Sequence, residues 1–473
     1  MFAPAPRTVV DLPSAGLPAD HGLASLGLVM QLAGRTTGAL AALVASTALL
    51  DLRHLPHPEW FWSALALCFV RSRLHRNAGR DLTYSRCIAD GLTADPLEAM
   101  RGYVRFGLAH AIAVGLVAAL AFDTAAPAAL GLGAALAVWP AVLAVVAWAP
   151  RFRRFRTGLP LGEDRGLEGT AIIMTVLGSA GALSAGTIVL ILGALSPQQM
   201  EHGWGVMLVV VFALLVVRSS LHIRAGLAGL RDGSFDRPGE LAARYASFGV
   251  ISAFCIGGVL CLLAMAERLT PEAIAGIAVL CWLLITWPMV IKRYFNQRLF
   301  AELLAGDRMI HRRAPDAGLT GLGWLLLGHA ALSAVLLIVD ITLLGADARA
   351  PLVQAIRWFA LDRWWSVGPS VDAVRLALEL AAAAALIRMS DRRRALATIY
   401  AVFAGAAALA AALPWLRALG AYPDLWRLLE LLPIAVQLVI PVAVWRLVHR
   451  AAAPLARARY RTLPSGLPLG PPP

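Results

Sequence analysis

A chain of 473 residues that is 59% hydrophobic and only 15% charged, with a mean hydropathy of +0.70, is too apolar for a water-soluble protein, because soluble domains carry roughly 25% charged residues. Apolar runs of about 20 residues recur along the chain and predict an all-α polytopic membrane protein. The net charge of +13 does not indicate a nucleic-acid partner, because the basic residues lie in short segments between the apolar runs, where they orient membrane spans.

One sequence pattern occurs twice and reveals internal repetition. The pattern V-R-S-x-L-H-x-x-A-G is found at Val70–Gly79 and again at Val217–Gly226. Two further features recur in each third of the chain, a Tyr-x-x-Phe pattern and a proline late in an apolar run, at Tyr103, Tyr245 and Tyr400 and at Pro140, Pro288 and Pro441. Because these features keep their order, they predict three tandem units at 22–160, 166–317 and 318–450.

Each predicted unit contains four apolar runs. The first unit has runs at 23–50, 59–72, 102–122 and 127–149. The second has runs at 167–194, 204–221, 245–265 and 272–291, and the third at 319–345, 371–388, 397–414 and 425–448. Backbone polar groups find no water in a bilayer core, so these runs predict twelve transmembrane helices in three four-helix units. An amphipathic helix in the outer interface is expected near 351–365, and 451–473 is expected to be a disordered cytoplasmic tail.

The distribution of basic residues predicts the orientation. Alternate connecting segments are rich in Arg, and the segments between them hold few basic residues. By the positive-inside bias, both the N-terminal tail at 1–21 and the C-terminal tail are cytoplasmic. Lys292 is the single lysine of the chain. This Arg bias is typical of GC-rich coding sequences, so the predicted location is the inner membrane of a bacterium.

Five ionisable residues within or beside apolar runs form a candidate intramembrane polar site: Arg35, Asp340, Arg375, Glu379 and Glu430. Each charge inside a bilayer costs about 3 kcal/mol on insertion scales, so such residues mark functional pathways. They predict a polar pathway or a proton-coupled site in the third unit. In the alternative interpretation, Arg375 and Glu379 neutralise each other one helical turn apart, while Asp340 and Glu430 lie near the outer interface.

The repeated pattern supplies four candidate contacts for anionic headgroups: Arg71, His75, Arg218 and His222. A guanidinium group gives a phosphate two parallel hydrogen bonds, and the end of a membrane helix places it at headgroup depth. In the alternative interpretation, the arginines only anchor the helix ends at the interface.

No catalytic, cofactor-binding or metal-binding signature is present in the sequence. Walker, G-x-S-x-G and H-E-x-x-H patterns are absent, so neither a cofactor nor an intrinsic ATPase is expected. The leading hypothesis is a transporter-like or permease-like subunit. A structural or assembly scaffold and a lipid-modifying membrane enzyme are the alternatives. The expected partners are membrane lipids and other membrane subunits.

Overall fold

The structure of the protein is a computed structural model, which describes residues 23–50, 57–84, 97–121, 126–149, 167–194, 204–231, 236–266, 271–296, 317–343, 368–388, 390–421 and 431–450. Within these ranges the chain forms twelve helices and no strand. The expected interfacial helix near 351–365 and both chain tails lie outside the described residues.

The helices follow the chain in three groups of four. The first group is α1 (Leu23–Leu50), α2 (Pro58–Tyr84), α3 (Glu98–Ala121) and α4 (Ala126–Trp148). The second is α5 (Leu167–Ala194), α6 (Trp204–Arg231), α7 (Asp236–Ala266) and α8 (Pro271–Phe295). The third is α9 (Ala317–Leu343), α10 (Pro369–Ile387), α11 (Arg393–Ala421) and α12 (Leu431–Arg450). The predicted number of helices and their all-α class are confirmed.

Nine of the helices in the described ranges are long and apolar enough to cross a membrane, namely α1, α3 to α9 and α11. Large apolar side chains such as Leu120, Val145 and Leu190 are exposed on them, as lipid-facing side chains are. The other three are less apolar for visible reasons: α2 ends in a basic segment, α10 carries three charges, and the apolar part of α12 is short. The protein is therefore a multi-pass helical membrane protein.

Helix α2 is longer than the apolar run that predicted it. The run at 59–72 ends where the basic residues begin, but the helix continues to Tyr84. Its basic half still has a buried face, which Arg71, His75, Ala78 and Leu82 form at helical spacing. The helix continues because these positions pack against protein, while the intervening basic side chains are more exposed.

The three groups share one pattern of packing. In each group the first helix packs on the second, the second on the third and the third on the fourth. Three further contacts join the groups: α1 packs on α8, α5 on α12 and α9 on α4. The first helices α1, α5 and α9 also contact one another. The first helix of each group is thus the most enclosed element and carries much of the buried core.

Candidate functional site

The most deeply buried ionisable side chain described in the third group is Glu379 of α10, which is 0% exposed. Its Oε1 atom lies 2.5 Å from Nδ1 of His329 on α9. When the carboxylate is ionised, it accepts the Nδ1–H bond, and a charge-assisted hydrogen bond of this kind is short and strong. Both residues lie among helices that are apolar enough to span a membrane, because α10 packs between α9 and α11.

Arg375 lies one helical turn before Glu379 and is also buried. Its Nη2 atom is 3.6 Å from Oδ1 of Asp372, which precedes it on the same helix. Neutralisation of Arg375 by Glu379 was one interpretation of their spacing. The pairs that the structure places together are instead Arg375 with Asp372 and Glu379 with His329.

Tyr400 of α11 completes the lining of this site. Its side chain is buried and interacts with both Glu379 and Arg375. The same tyrosine opens the third Tyr-x-x-Phe pattern. We refer to His329, Arg375, Glu379 and Tyr400 as the polar cluster.

The polar cluster has hydrogen-bonding capacity that its own contacts leave unused. Three buried atoms, Nε2 of His329, Oε2 of Glu379 and Nε of Arg375, lack a hydrogen-bond partner among the residues that the structure describes. Oγ of Ser333, one turn beyond His329 on α9, is also buried without a hydrogen-bond partner among the described residues. Unpaired buried polar atoms are rare because each costs about 1–3 kcal/mol, so a group of four needs a reason.

The structure describes the side chain of only one of the three remaining residues of the predicted intramembrane site. Arg35 lies on α1, and its Nη1 atom is within hydrogen-bond distance of the carbonyl oxygen and Oε1 of Gln31. Asp340 belongs to α9, but its side chain lies outside the described residues, as does the whole of Glu430. Of the five predicted residues, the structure therefore places Arg375 and Glu379 one turn apart on the buried side of α10, with His329 and Tyr400 beside Glu379.

The arginines of the repeated pattern turn inward and bind backbone carbonyl groups. Arg71 donates from Nη2 to the carbonyl oxygen of Leu136, at 2.5 Å. Arg218 donates from Nη2 to the carbonyl oxygen of Leu284. These carbonyls stand four residues before Pro140 and Pro288, and a proline lacks the N–H that would bind them. Each arginine thus satisfies a carbonyl that a helix proline leaves free.

The histidines of the repeated pattern stack on the tyrosines of the Tyr-x-x-Phe pattern. The ring of His75 lies 4.2 Å from that of Tyr103, centroid to centroid, and Nε2 of His75 accepts a 2.8 Å hydrogen bond from Nε1 of Trp139. The ring of His222 lies 4.5 Å from that of Tyr245. These side chains are buried between helices of their own group. Contact of the motif residues with lipid headgroups stays a prediction.

Two histidines within apolar helices bond between helices. His110 of α3 lies 3.7 Å from Sγ of Cys68 and 3.5 Å from Nη1 of Arg71, both on α2. His329 of α9 bonds to α10 in the same way. Across the described ranges, no group of three or more His, Cys, Asp or Glu side chains could hold a metal ion.

Sequence reasoning found two of the four members of the polar cluster. His329 and Tyr400 were both visible as polar residues in apolar runs. Their place beside Glu379 depends on which helices pack together, and spacing along the chain carries no signal for a contact between residues 329 and 379.

Comparison with known proteins does not assign the site. The chain matches no protein-family model, no curated protein sequence and no solved structure.

Proposed function

We propose that the chain is a membrane transport protein without an ATPase of its own, and that its pathway passes through the polar cluster. The observation that carries this proposal is the buried Glu379, bonded to His329 among membrane-spanning helices, with one carboxylate oxygen unpaired within the described residues. Burying an ionisable group among such helices costs free energy, and buried groups of this kind are typical of substrate, ion or proton pathways. The absence of a Walker motif from the sequence leaves an ion gradient or a partner subunit as the energy source.

We infer that the twelve helices are three tandem units, at 22–160, 166–317 and 318–450, arranged in a closed ring. Two kinds of contact support this arrangement. The packing order within the three groups is the same. The contacts α1–α8, α5–α12 and α9–α4 join the first group to the second, the second to the third and the third back to the first. Known secondary transporters usually repeat in two halves, so a threefold arrangement would be a different plan.

We further propose that the protein lies in the cytoplasmic membrane of a bacterium with both termini inside. The alternation of Arg-rich and Arg-poor segments supports this orientation. An even number of membrane crossings returns the chain to the side on which it started. The exposed apolar faces of the outer helices suit membrane lipids and neighbouring subunits as partners.

Charge displacement in proteoliposomes on a solid-supported membrane tests the transport proposal. The wild-type protein is exposed to rapid jumps in protons, Na⁺, K⁺, amino acids, sugars and carboxylic acids. We expect at least one jump to displace charge, and Glu379→Gln to reduce that signal to background. Glu240→Gln is the matched control, because Glu240 is an exposed partner of Arg244. No signal with any jump, or an unchanged signal in Glu379→Gln, would contradict the proposal.

A structural or assembly subunit is the second candidate function. The pairing of Arg375 with Asp372 on the same helix favours it, because a charge neutralised within its own element needs no solute. In that case Glu379→Gln would lower the unfolding temperature or release a co-purified subunit, and the wild-type protein would displace no charge.

A further inference from the structure

We infer that Nε2 of His329 is the atom that binds the transported ion, and that this ion is a proton. The inference rests on the proposed transport function and names its coupling ion. The bound state is an imidazolium ring held against the carboxylate of Glu379, and the free state is the neutral ring in the same place.

The hydrogen bond to Glu379 determines which nitrogen of His329 accepts the proton. When Glu379 is ionised, its Oε1 atom can only accept, so Nδ1 of His329, which lies 2.5 Å away, carries the hydrogen. In the neutral ring Nε2 then bears the lone pair. That atom is buried and has no hydrogen-bond partner in the described part of the chain, while the whole side chain is only 8% exposed. The geometry thus presents one basic atom.

The charge on Glu379 stabilises the protonated ring. Adding a proton to Nε2 breaks no bond and takes the His329–Glu379 pair from a net charge of −1 to zero. In an environment of low dielectric constant, an ion pair in contact is far less costly than a lone carboxylate. Release of the proton restores the negative pair, so the site alternates between a charged and a neutral state.

The other ionisable groups on the helices around α9 do not change the assignment of the proton to His329. Arg375 on α10 is paired with Asp372, and Tyr400 on α11 faces Glu379. Of the other helices that pack on α9, α4 has no ionisable residue and α1 has only Arg35. Helix α5 has only Glu168 in its first turn, and α12 has such residues only in its last two turns.

The chemistry of the site argues against two other ligands, a metal ion bound by the imidazole ring and an anion. A metal ion held by an imidazole would need further ligands, and the described residues bring no third His, Cys, Asp or Glu to His329 and Glu379. An anion would face the buried charge of Glu379 at the point where it had to bind. A proton needs one lone pair and one nearby negative charge, and His329 and Glu379 supply them.

Nitrogen-15 NMR of histidine-labelled, full-length protein in lipid nanodiscs tests the assignment between about pH 5 and 9, a range that spans the usual imidazole titration. We expect one imidazole in which Nε2 changes from unprotonated to protonated while Nδ1 stays protonated. This signal should vanish in His329→Asn, whose amide still donates to Glu379, and remain in His449→Asn, since His449 is exposed. In Glu379→Gln, which removes the negative charge beside that ring, this signal should be lost from the same pH range.

Two results would overturn the assignment: every titrating imidazole remains in His329→Asn, or Glu379→Gln leaves the titration midpoint unchanged. If His329→Asn fails to fold, the midpoint in Glu379→Gln decides. A titration as expected without charge displacement by any jump would refute transport and leave the proton site standing. Charge displacement that depends on Glu379 without such a titration would refute the proton site alone.

Discussion

Arg218 shows how this protein uses a charged side chain inside a helix bundle. Its two terminal nitrogens donate to the carbonyl oxygens of Gly249 on α7 and Leu284 on α8, although the arginine itself belongs to α6. One guanidinium group therefore connects three helices. It also compensates the hydrogen bond that Pro288 cannot donate. Arg71 makes the equivalent contact in the first group, with Leu136 before Pro140.

The first prediction concerns this link between Arg218 and Pro288. Arg218→Ala should lower the free energy of unfolding by about 2 kcal/mol, since a hydrogen bond to a charged donor contributes about 1.5–3 kcal/mol. In the double variant with Pro288→Ala, the restored N–H can bind the Leu284 carbonyl, so the combined loss should be smaller than the sum of the single losses. Unfolding in detergent, followed by tryptophan fluorescence, measures all three.

Arg244→Ala is the control for that cycle, because Arg244 is exposed and pairs with Glu240 one turn away. It should change stability by less than about 0.5 kcal/mol. Additive losses in the Arg218 and Pro288 variants would show that the guanidinium group does not replace the missing helix bond.

At the scale of the element, the first two helices of each group approach through a glycine. A Cβ atom added at Gly34, Gly178 or Gly323 would lie 3.1 Å from a backbone nitrogen of the second helix, that of Arg76, Ile223 or Ile387. Small residues permit this close approach, and van der Waals contact then stabilises the pair in a membrane. The three contacts are equal in distance, and each joins the same two helices of its group.

The second prediction follows from this approach. Gly178→Leu should lower the free energy of unfolding by about 1–3 kcal/mol, the usual penalty for overpacking, because the new side chain meets the backbone of α6. Gly186 lies on the same helix with nothing within 4 Å of its added Cβ. Gly186→Leu is therefore the matched control and should be neutral. Equal losses in the two variants would place the cause in α5 itself rather than in its contact with α6.

The glycine contacts also show which positions of the second and third groups are equivalent, and the buried charged residues differ there. Ile387 takes the place of Ile223 in this contact, so Ala382 and Leu386 stand where Arg218 and His222 stand in the second group. The charges of α10 lie nearer its N-terminal end, at Arg375 and Glu379 and at Asp372 before them. The buried charged residues of the third group therefore lie at positions on their helix that differ from those of the carbonyl-binding arginines in the other two groups.

At the scale of the whole molecule, the sequence alone predicts which helices form the bundle, but it does not predict which helices contact one another. Lengths and hydropathy of the runs predict all twelve helices, since a bilayer imposes both. The extension of α2 to Tyr84 was missed because hydropathy scores its basic residues as polar, although some of them face protein. The partner of Glu379 was missed because it comes from a helix 50 residues away.

The third prediction tests the closed ring. Gly131 of α4 and Thr342 of α9 come so close that an added Cβ at Gly131 would meet the threonine side chain. Gly131→Leu should therefore lower the free energy of unfolding by about 1–3 kcal/mol, because the new side chain meets α9. Gly258→Leu is the control and should be neutral, because Gly258 lies on α7 with open space around it. Equal effects of the two substitutions would contradict contact between the first and third groups.

The central claim is that the polar cluster lies on a pathway that water and solutes reach. Ser333→Cys, one turn from His329, tests it in a variant without the native cysteines. A small, charged, membrane-impermeant methanethiosulfonate reagent should label this cysteine in proteoliposomes. It should leave Ala331→Cys unlabelled, since Ala331 is buried on the same helix. If Ser333→Cys is as unreactive as Ala331→Cys, the polar cluster is a dry structural contact and the transport account is wrong.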